Sequence, residues 1–275
     1  MSTIRTFARS HPLLVTAVGL AIGLAVIWFV PSDGSLANMM FIRLGLTIVM
    51  FAIMAVAAGC NIIVPNAKSI GLSFKKSIYP LVVALVMGVF VLLGTAMKNE
   101  GMVSDWPLQL ALVIMLCLLV GTFEEGLFRG IVFSGRRGLI GAVIVSSLIF
   151  GFVHVTPSIM NGQVVTGLDM AQAALKTLQA GILGAFLAAL FLKTRNIWGI
   201  ALVHGLNDLF VMLGDALFSG TTSTTYVNND AMMASASVVM YGVFFLLYIP
   251  IIVSTVRMLK QVEVPCKGPF ADRWS

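Results

Sequence analysis

Three short groups of residues in this chain combine side-chain types able to do acid–base or hydrolytic chemistry. The first is Phe123-Glu124-Glu125-Gly126-Leu127-Phe128-Arg129-Gly130, the second Phe150-Gly151-Phe152-Val153-His154, and the third His204-Gly205-Leu206-Asn207-Asp208. The chain has only three histidines, and two of them fall in these groups. On a helix, Glu125 and Arg129 are four apart and share a face, with the acid on the favoured N-terminal side for pairing. Glu124 is turned about 100° from Glu125 on a 3.6-residue helix, so it has no obvious local partner. A carboxylate left like this in low-dielectric surroundings is the kind of group that serves as a general base near neutrality. A structural ion pair between helices would explain Glu125 and Arg129 but not Glu124. Phe150, one turn before His154, covers one side of that ring. His204 and Asp208 are again four apart and address one point. Either Asp208 orients the imidazole, or both act directly on a ligand, a water or a metal. Asn207 points about 60° short of the His204 direction and is the weaker candidate.

The elements that carry these groups are apolar. Of 275 residues, 59% are hydrophobic and 10% charged, where a soluble domain has about a quarter of its residues charged. With a mean hydropathy of +1.02, the composition excludes a soluble protein. Eight apolar stretches come near the ~20 residues that cross a bilayer as helix. They are Pro12–Val30, Met39–Val64, Ile78–Met97, Trp106–Val132, Leu139–His154 with a short extension, Met170–Leu192, Ile197–Phe218 and Ser235–Val256. The expected fold is therefore all-α: a polytopic membrane protein of about eight transmembrane helices, a single membrane domain over residues 1–275, with a polar site buried in the helix bundle. The first group lies on the fourth span, the second ends the fifth, and the third lies on the seventh. A charge at a helix centre costs about 2.5–3.5 kcal/mol on insertion scales, so residues that break the apolar pattern here are candidates for function.

The charges orient the chain. Arg5 and Arg9 precede the first span, Lys68, Lys75 and Lys76 follow the second, and Arg136 and Arg137 the fourth. Lys193 and Arg195 follow the sixth, and Arg257, Lys260, Lys267 and Arg273 the eighth. The opposite connections and their flanks carry Asp33, Glu100, Asp105, Asp169, Asp215 and Asp230, with Lys98 their only base. The positive-inside rule then puts both termini in the cytoplasm. The net charge of +6 reflects this asymmetry and calls for no nucleic-acid partner. Arg43 and Lys176, inside spans near the outer side, read as side chains that snorkel to the interface. The basic stretch Lys68–Lys76 reads as a loop touching anionic lipid. The first span reads as a retained anchor rather than a secretory signal, and its Gly19-x-x-x-Gly23 is compatible with close helix packing. Cys60, Cys117 and Cys266 lie far apart and encode neither a disulfide framework nor a zinc finger.

Counted from the basic loops at 1.5 Å per residue, Glu124 lies ~18 Å deep, His204 ~14 Å and His154 ~26 Å. The first two agree. The third requires a strongly tilted fifth helix or a Phe128–Arg137 stretch that enters the membrane as a bent segment.

Taken together, Glu124-Glu125-x-x-x-Arg129, Phe150-x-x-x-His154 and His204-x-x-x-Asp208 resemble, in order and spacing, the CPBP family (CAAX proteases and bacteriocin-processing enzymes, also labelled Abi), which includes the Ras-converting type of CAAX prenyl protease. The resemblance covers roughly Trp106–Phe210. It implies a glutamate-dependent intramembrane endopeptidase with a cytoplasm-facing cavity, acting on a hydrophobic, lipidated or membrane-embedded peptide. By that pattern Glu124 activates the attacking water and His154 helps hold or polarise it. His204 and the residue at 208 stabilise the oxyanion, while Glu125, Arg129, Phe150 and Asn207 support the site. Many relatives carry asparagine at the last position. An ionised Asp208 accepts but cannot donate, so it is protonated, orients His204 or helps hold a cation. Family members are often called metalloproteases; Glu124, His154, His204 and Asp208 are then the residues for a zinc ion, although no H-E-x-x-H is present. Members of this compact form are commonly bacterial, so a bacterial cell membrane is the expected location, with membrane lipids and the peptide substrate as partners. The competing readings are a non-catalytic peptide-binding or immunity protein of the same fold and, third, an ion-coupled transporter. No internal symmetry between two halves supports the last.

Overall fold

A computed structural model describes residues 2–30, 35–59, 62–99, 101–134, 139–221 and 226–262. Cys60, Cys266, Asp33, Glu100, Arg136, Arg137, Lys267 and Arg273 lie outside the described residues. The described residues form helices and turns with no strand among them. In chain order the helices are α1 (Ser2–Ser10), α2 (Pro12–Phe29), α3 (Leu36–Ala57), α4 (Ala67–Lys98) and α5 (Trp106–Glu125). There follow a π-helical turn (Gly126–Ile131), a 3-10 turn (Val132–Ser134), α6 (Leu139–Val153), α7 (Thr156–Met160), α8 (Gly167–Thr194), α9 (Ile197–Ser219) and α10 (Ala231–Gln261).

Local sequence sets the helix starts. Ser35, Asn66, Asn196 and Asp230 each accept a hydrogen bond from a first-turn backbone N–H of α3, α4, α9 and α10, satisfying a donor that the helix itself leaves open. Proline opens α2 and falls in the first turn of α5, where its missing N–H costs nothing.

Each of the eight apolar stretches contains a helix, but only six helices among the described residues are long and apolar enough to cross a membrane: α3, α4, Trp106–Ser134, α8, α9 and α10. The expected first span qualifies only together with α1, from which it is bent by 93°. The expected fifth span, α6, has 15 residues, or about 22 Å at 1.5 Å each against a ~30 Å hydrocarbon core. Of the expected eight or so spans, six pass by length and composition among the described residues, or seven with the bent pair. Large apolar side chains such as Phe41, Ile48, Phe90, Leu148 and Leu246 point outward. In water such a surface would be an association liability; here it is the lipid-facing side of an integral, multi-pass membrane protein.

The chain forms two compact units. The first draws on Met1–Arg137 and Thr194–Ser223, and in it α9 packs against α4 and α5, while α3 packs against α5. The expected Gly19-x-x-x-Gly23 match faces this unit's own chain: a Cβ on Gly19 would come within 2.7 Å of Leu127 Cδ1, and one on Gly23 within 3.0 Å of Phe123 Cζ. The second unit draws on Gly138–Lys193 and Thr224–Val264. There α6 and α8 cross at Gly151 and Gly181, each of which approaches the other helix's backbone. Lys193 Nζ donates to Gln261 Oε1 between α8 and α10.

Candidate functional site

Glu124 and Glu125 form the last turn of α5, and the chain then widens into the π-helical turn that holds Arg129. Such turns break the regular helical repeat and recur at functional sites. The i, i+4 pair survives the widening: Arg129 Nη1 donates to Glu125 Oε1 at 2.9 Å, with both side chains fully buried.

On the facing helix, three contacts fix the start of α9. Asn196 Nδ2 donates to the Val64 carbonyl at 2.8 Å, the Trp198 indole N–H donates to the Ile63 carbonyl, and Ser69 Oγ donates to the Thr194 carbonyl at 3.0 Å. Two turns later α9 crosses α5 where neither helix has a side chain. A Cβ on Gly121 would stand 2.6 Å from the Ala201 carbonyl oxygen, and one on Gly205 would stand 2.9 Å from that of Cys117. This close approach brings His204 onto the end of α5.

His204 is buried, and its Nδ1 donates to Glu125 Oε1 at 2.8 Å. An ionised carboxylate only accepts, so Nδ1 carries the hydrogen. Its other nitrogen, Nε2, lies 3.4 Å from Asp208 Oδ2 and 3.9 Å from Glu124 Oε2. The two glutamates therefore differ in situation. Glu125 has no exposure and binds both Arg129 and His204 through one oxygen, whereas Glu124 keeps 16% of its side chain exposed and Asp208 keeps 22%. Asn207, half-buried on α9, joins none of these contacts.

Of the residues singled out in the sequence, the first unit thus brings together Glu124, Glu125, Arg129, His204 and Asp208. Phe150 and His154 belong to the second unit. There His154 Nδ1 donates to the Phe150 carbonyl at 2.8 Å, and the two rings lie 4.7 Å apart, tilted by 57°. With Nδ1 donating to a carbonyl, the acceptor of the neutral ring is Nε2. The Tyr226 ring lies 6.4 Å from His154 and carries Lys176 Nζ 4.0 Å from its centroid.

Lys176 and Arg43, the two cations expected to snorkel, are both partly buried. Lys176 stacks on Tyr226 and donates to Gln179 Oε1 at 3.2 Å, a cation–π and hydrogen-bond combination that holds it inside its own unit. Arg43 stands four residues before Thr47 on the stripe of α3 that buries Leu36, Thr47, Met50 and Met54. Thr47 Oγ1 lies 2.7 Å from the Arg43 carbonyl and 3.3 Å from that of Leu119 on α5. Arg43 is half-buried. The seven-residue step from Leu36 to Arg43 and the four-residue step to Thr47 are the signal that places this arginine on the inward stripe.

No group of three or more His, Cys, Asp or Glu side chains among the described residues is arranged to hold a metal ion. His204 gives Nδ1 to Glu125, so the nitrogen this ring could offer a ligand is Nε2.

Residues 106–210 match the family model for the type II CAAX prenyl endopeptidase Rce1-like proteins. No curated protein and no solved structure matches the chain.

Proposed function

On the premise that residues 106–210 form a core of the CPBP/CAAX protease family, we propose that this protein is an intramembrane endopeptidase in which Glu124 activates the attacking water. One observation carries the reading: of two adjacent carboxylates, Glu125 is sealed between Arg129 and His204, while Glu124 is partly exposed and faces His204 Nε2. A base needs access to both its water and the ring that steadies the charge it creates; the partial exposure of Glu124 and its 3.9 Å separation from Nε2 support that choice.

Glu124 takes a proton as water oxygen bonds to the scissile carbonyl carbon. The carbonyl oxygen becomes an oxyanion and accepts a hydrogen bond from Nε2–H of His204, held as the imidazolium between Glu125 and Asp208. The C–N bond then breaks, Glu124 returns its proton to the departing amine, and the products are a carboxylic acid and an amine. In this scheme Asp208 orients the ring and does not itself donate. His154 is assigned a catalytic role on the family pattern alone. No step is routed through a metal.

The substrate class in this reading is a hydrophobic, lipidated or membrane-embedded peptide. The family's name points to prenylated C-terminal segments as the first compounds to try. Both termini are taken as cytoplasmic, with the site open to that side of a bacterial cell membrane.

The test is cleavage of a pool of prenylated, acylated and unmodified membrane peptides by purified protein, with Glu124→Ala and His154→Ala beside it. Loss of cleavage in both folded variants is the expected result. Retained hydrolysis by Glu124→Ala would overturn the assignment, and no cleavage by a folded wild type would favour a peptide-binding protein.

A further inference from the structure

We infer that Tyr226, held in place by Lys176, is a positioning residue for His154. The inference rests on the proposed peptidase reading for its turnover measurement, and on contacts within the second unit alone for its spectroscopic one.

On α8, Asp169, Gln172, Lys176 and Gln179 recur at steps of three, four and three, which puts four polar side chains on one stripe of a mostly apolar helix. Polar and charged groups inside a span need partners. Asp169 finds its own locally, accepting from the N–H groups of Val165 and Thr166. The other three address α10 and the segment that leads into it. Gln172 binds Asn228 through both ends of its amide: Nε2 donates to the Asn228 carbonyl at 3.1 Å, and Oε1 accepts from the Asn228 N–H at 3.0 Å. Lys176 Nζ lies 4.0 Å from the centroid of the Tyr226 ring and donates to Gln179 Oε1. Gln179 Nε2 in turn donates to the Tyr248 hydroxyl of α10 at 3.5 Å.

Between Tyr226 and Asn228, Val227 is buried in a cluster with Ala173 of α8 and Val155, the residue after His154. Asn229 Nδ2 donates to the Gln163 carbonyl at 2.6 Å. Each residue from Tyr226 to Asn229 is thereby tied to α8 or to the chain between His154 and α8. His154 itself stands just past the end of α6. Its Nδ1 bond to the Phe150 carbonyl fixes one point of the ring, and the rings that border it limit how it can turn about that point. Phe150, 4.7 Å away, comes from its own helix; Tyr226, 6.4 Å away and tilted by 54°, comes from the tied segment. Such tilted contacts are a favoured aromatic geometry, and the ammonium on the tyrosine face steadies that ring. Loosening Tyr226 should let the imidazole leave the Phe150 carbonyl and carry its hydrogen on either nitrogen.

The experiment reads the tautomer of each of the three histidines by NMR of isotope-labelled full-length protein in detergent, with single histidine substitutions assigning the signals. Tyr226→Ala, Tyr226→Phe and Lys176→Met are compared with wild type, and peptide turnover is measured on each. Wild-type His154 should carry its hydrogen on Nδ1. Tyr226→Ala and Lys176→Met should show a mixture of both forms at His154 alone, with His204 unchanged. The same two variants should lose about tenfold to a hundredfold in kcat with KM little altered, the scale of a misplaced group. Tyr226→Phe keeps the ring and should match wild type.

A His154 that stays on Nδ1 in Tyr226→Ala and Lys176→Met would overturn the inference. So would a Tyr226→Phe protein as disturbed as Tyr226→Ala, a His204 signal that changes as much as that of His154, or wild-type turnover despite a mixed tautomer. If Tyr226→Ala fails to accumulate, Tyr226→Leu replaces it, filling the space without the aromatic face, and is judged by the same outcomes. If wild type cleaves no peptide, the peptidase reading fails, while the tautomer comparison still decides whether Tyr226 and Lys176 hold His154.

Discussion

Replacing each of the adjacent glutamates by glutamine should give opposite outcomes. Glu125 is completely buried, and its Oε1 takes both the 2.9 Å bond from Arg129 and the 2.8 Å bond from His204. Glu125→Gln keeps the volume but removes the charge, leaving a buried guanidinium without its closest counter-ion. Breaking one side of a buried pair costs about 3–5 kcal/mol. At roughly 2–4 °C per kcal/mol for chains approaching this size, that is a fall of about 6–20 °C in melting temperature. Glu124 has 16% exposure, and its nearest charged contact is 3.9 Å away, beyond hydrogen-bonding distance. Glu124→Gln should therefore change stability by no more than about 1 kcal/mol, as for partly solvated pairs. It nonetheless removes the base, a loss of about a hundredfold to ten-thousandfold in turnover.

The assay is a melt of both purified variants in one detergent, followed by cleavage of a fluorogenic membrane peptide well below either melting point. Equal stability losses, or a Glu124→Gln protein that still turns over while Glu125→Gln melts normally, would refute the division of labour between the two residues.

Other predictions follow from the same geometry. Gly121→Ala puts a Cβ 2.6 Å from the Ala201 carbonyl oxygen, so α5 and α9 must part by about 0.8 Å to reach ordinary contact, at a cost of about 1–3 kcal/mol. Turnover should fall with stability, whereas the Ala variant at Gly141, which has open space, should behave as wild type in both assays. Asn196→Ala removes the N-cap of α9 together with its bond to Val64 and should cost about 1–2 kcal/mol in a denaturant melt. Prolonged treatment with a strong chelator, followed by metal analysis and a cleavage assay, should leave turnover unchanged; loss that zinc restores would replace the metal-free scheme with a zinc-dependent one.

What the sequence made legible is what short-range geometry controls. The four-residue spacing of Glu125 and Arg129 named their pair correctly even though the chain leaves the α-helix at Gly126, because the flexible guanidinium spans the wider turn. The same rule put His204 and Asp208 on one side of α9. It gave no sign that His204 bonds to Glu125, a contact across 79 positions created by two bare glycine surfaces meeting, and glycines are common in this chain. Apolar composition found every long helix but does not fix the number of spans, since a run such as Leu139–Val153 has the same content whether or not it reaches across a bilayer. Arg43 shows the other limit. A lone arginine in an apolar helix is equally consistent with snorkelling outward or serving a polar interior, and charge does not distinguish the two. Position does: Leu36, Arg43, Thr47, Met50 and Met54 fall on one face at steps of seven, four, three and four. On that face Arg43 is half-buried, one turn before the threonine that reaches the Leu119 carbonyl of α5.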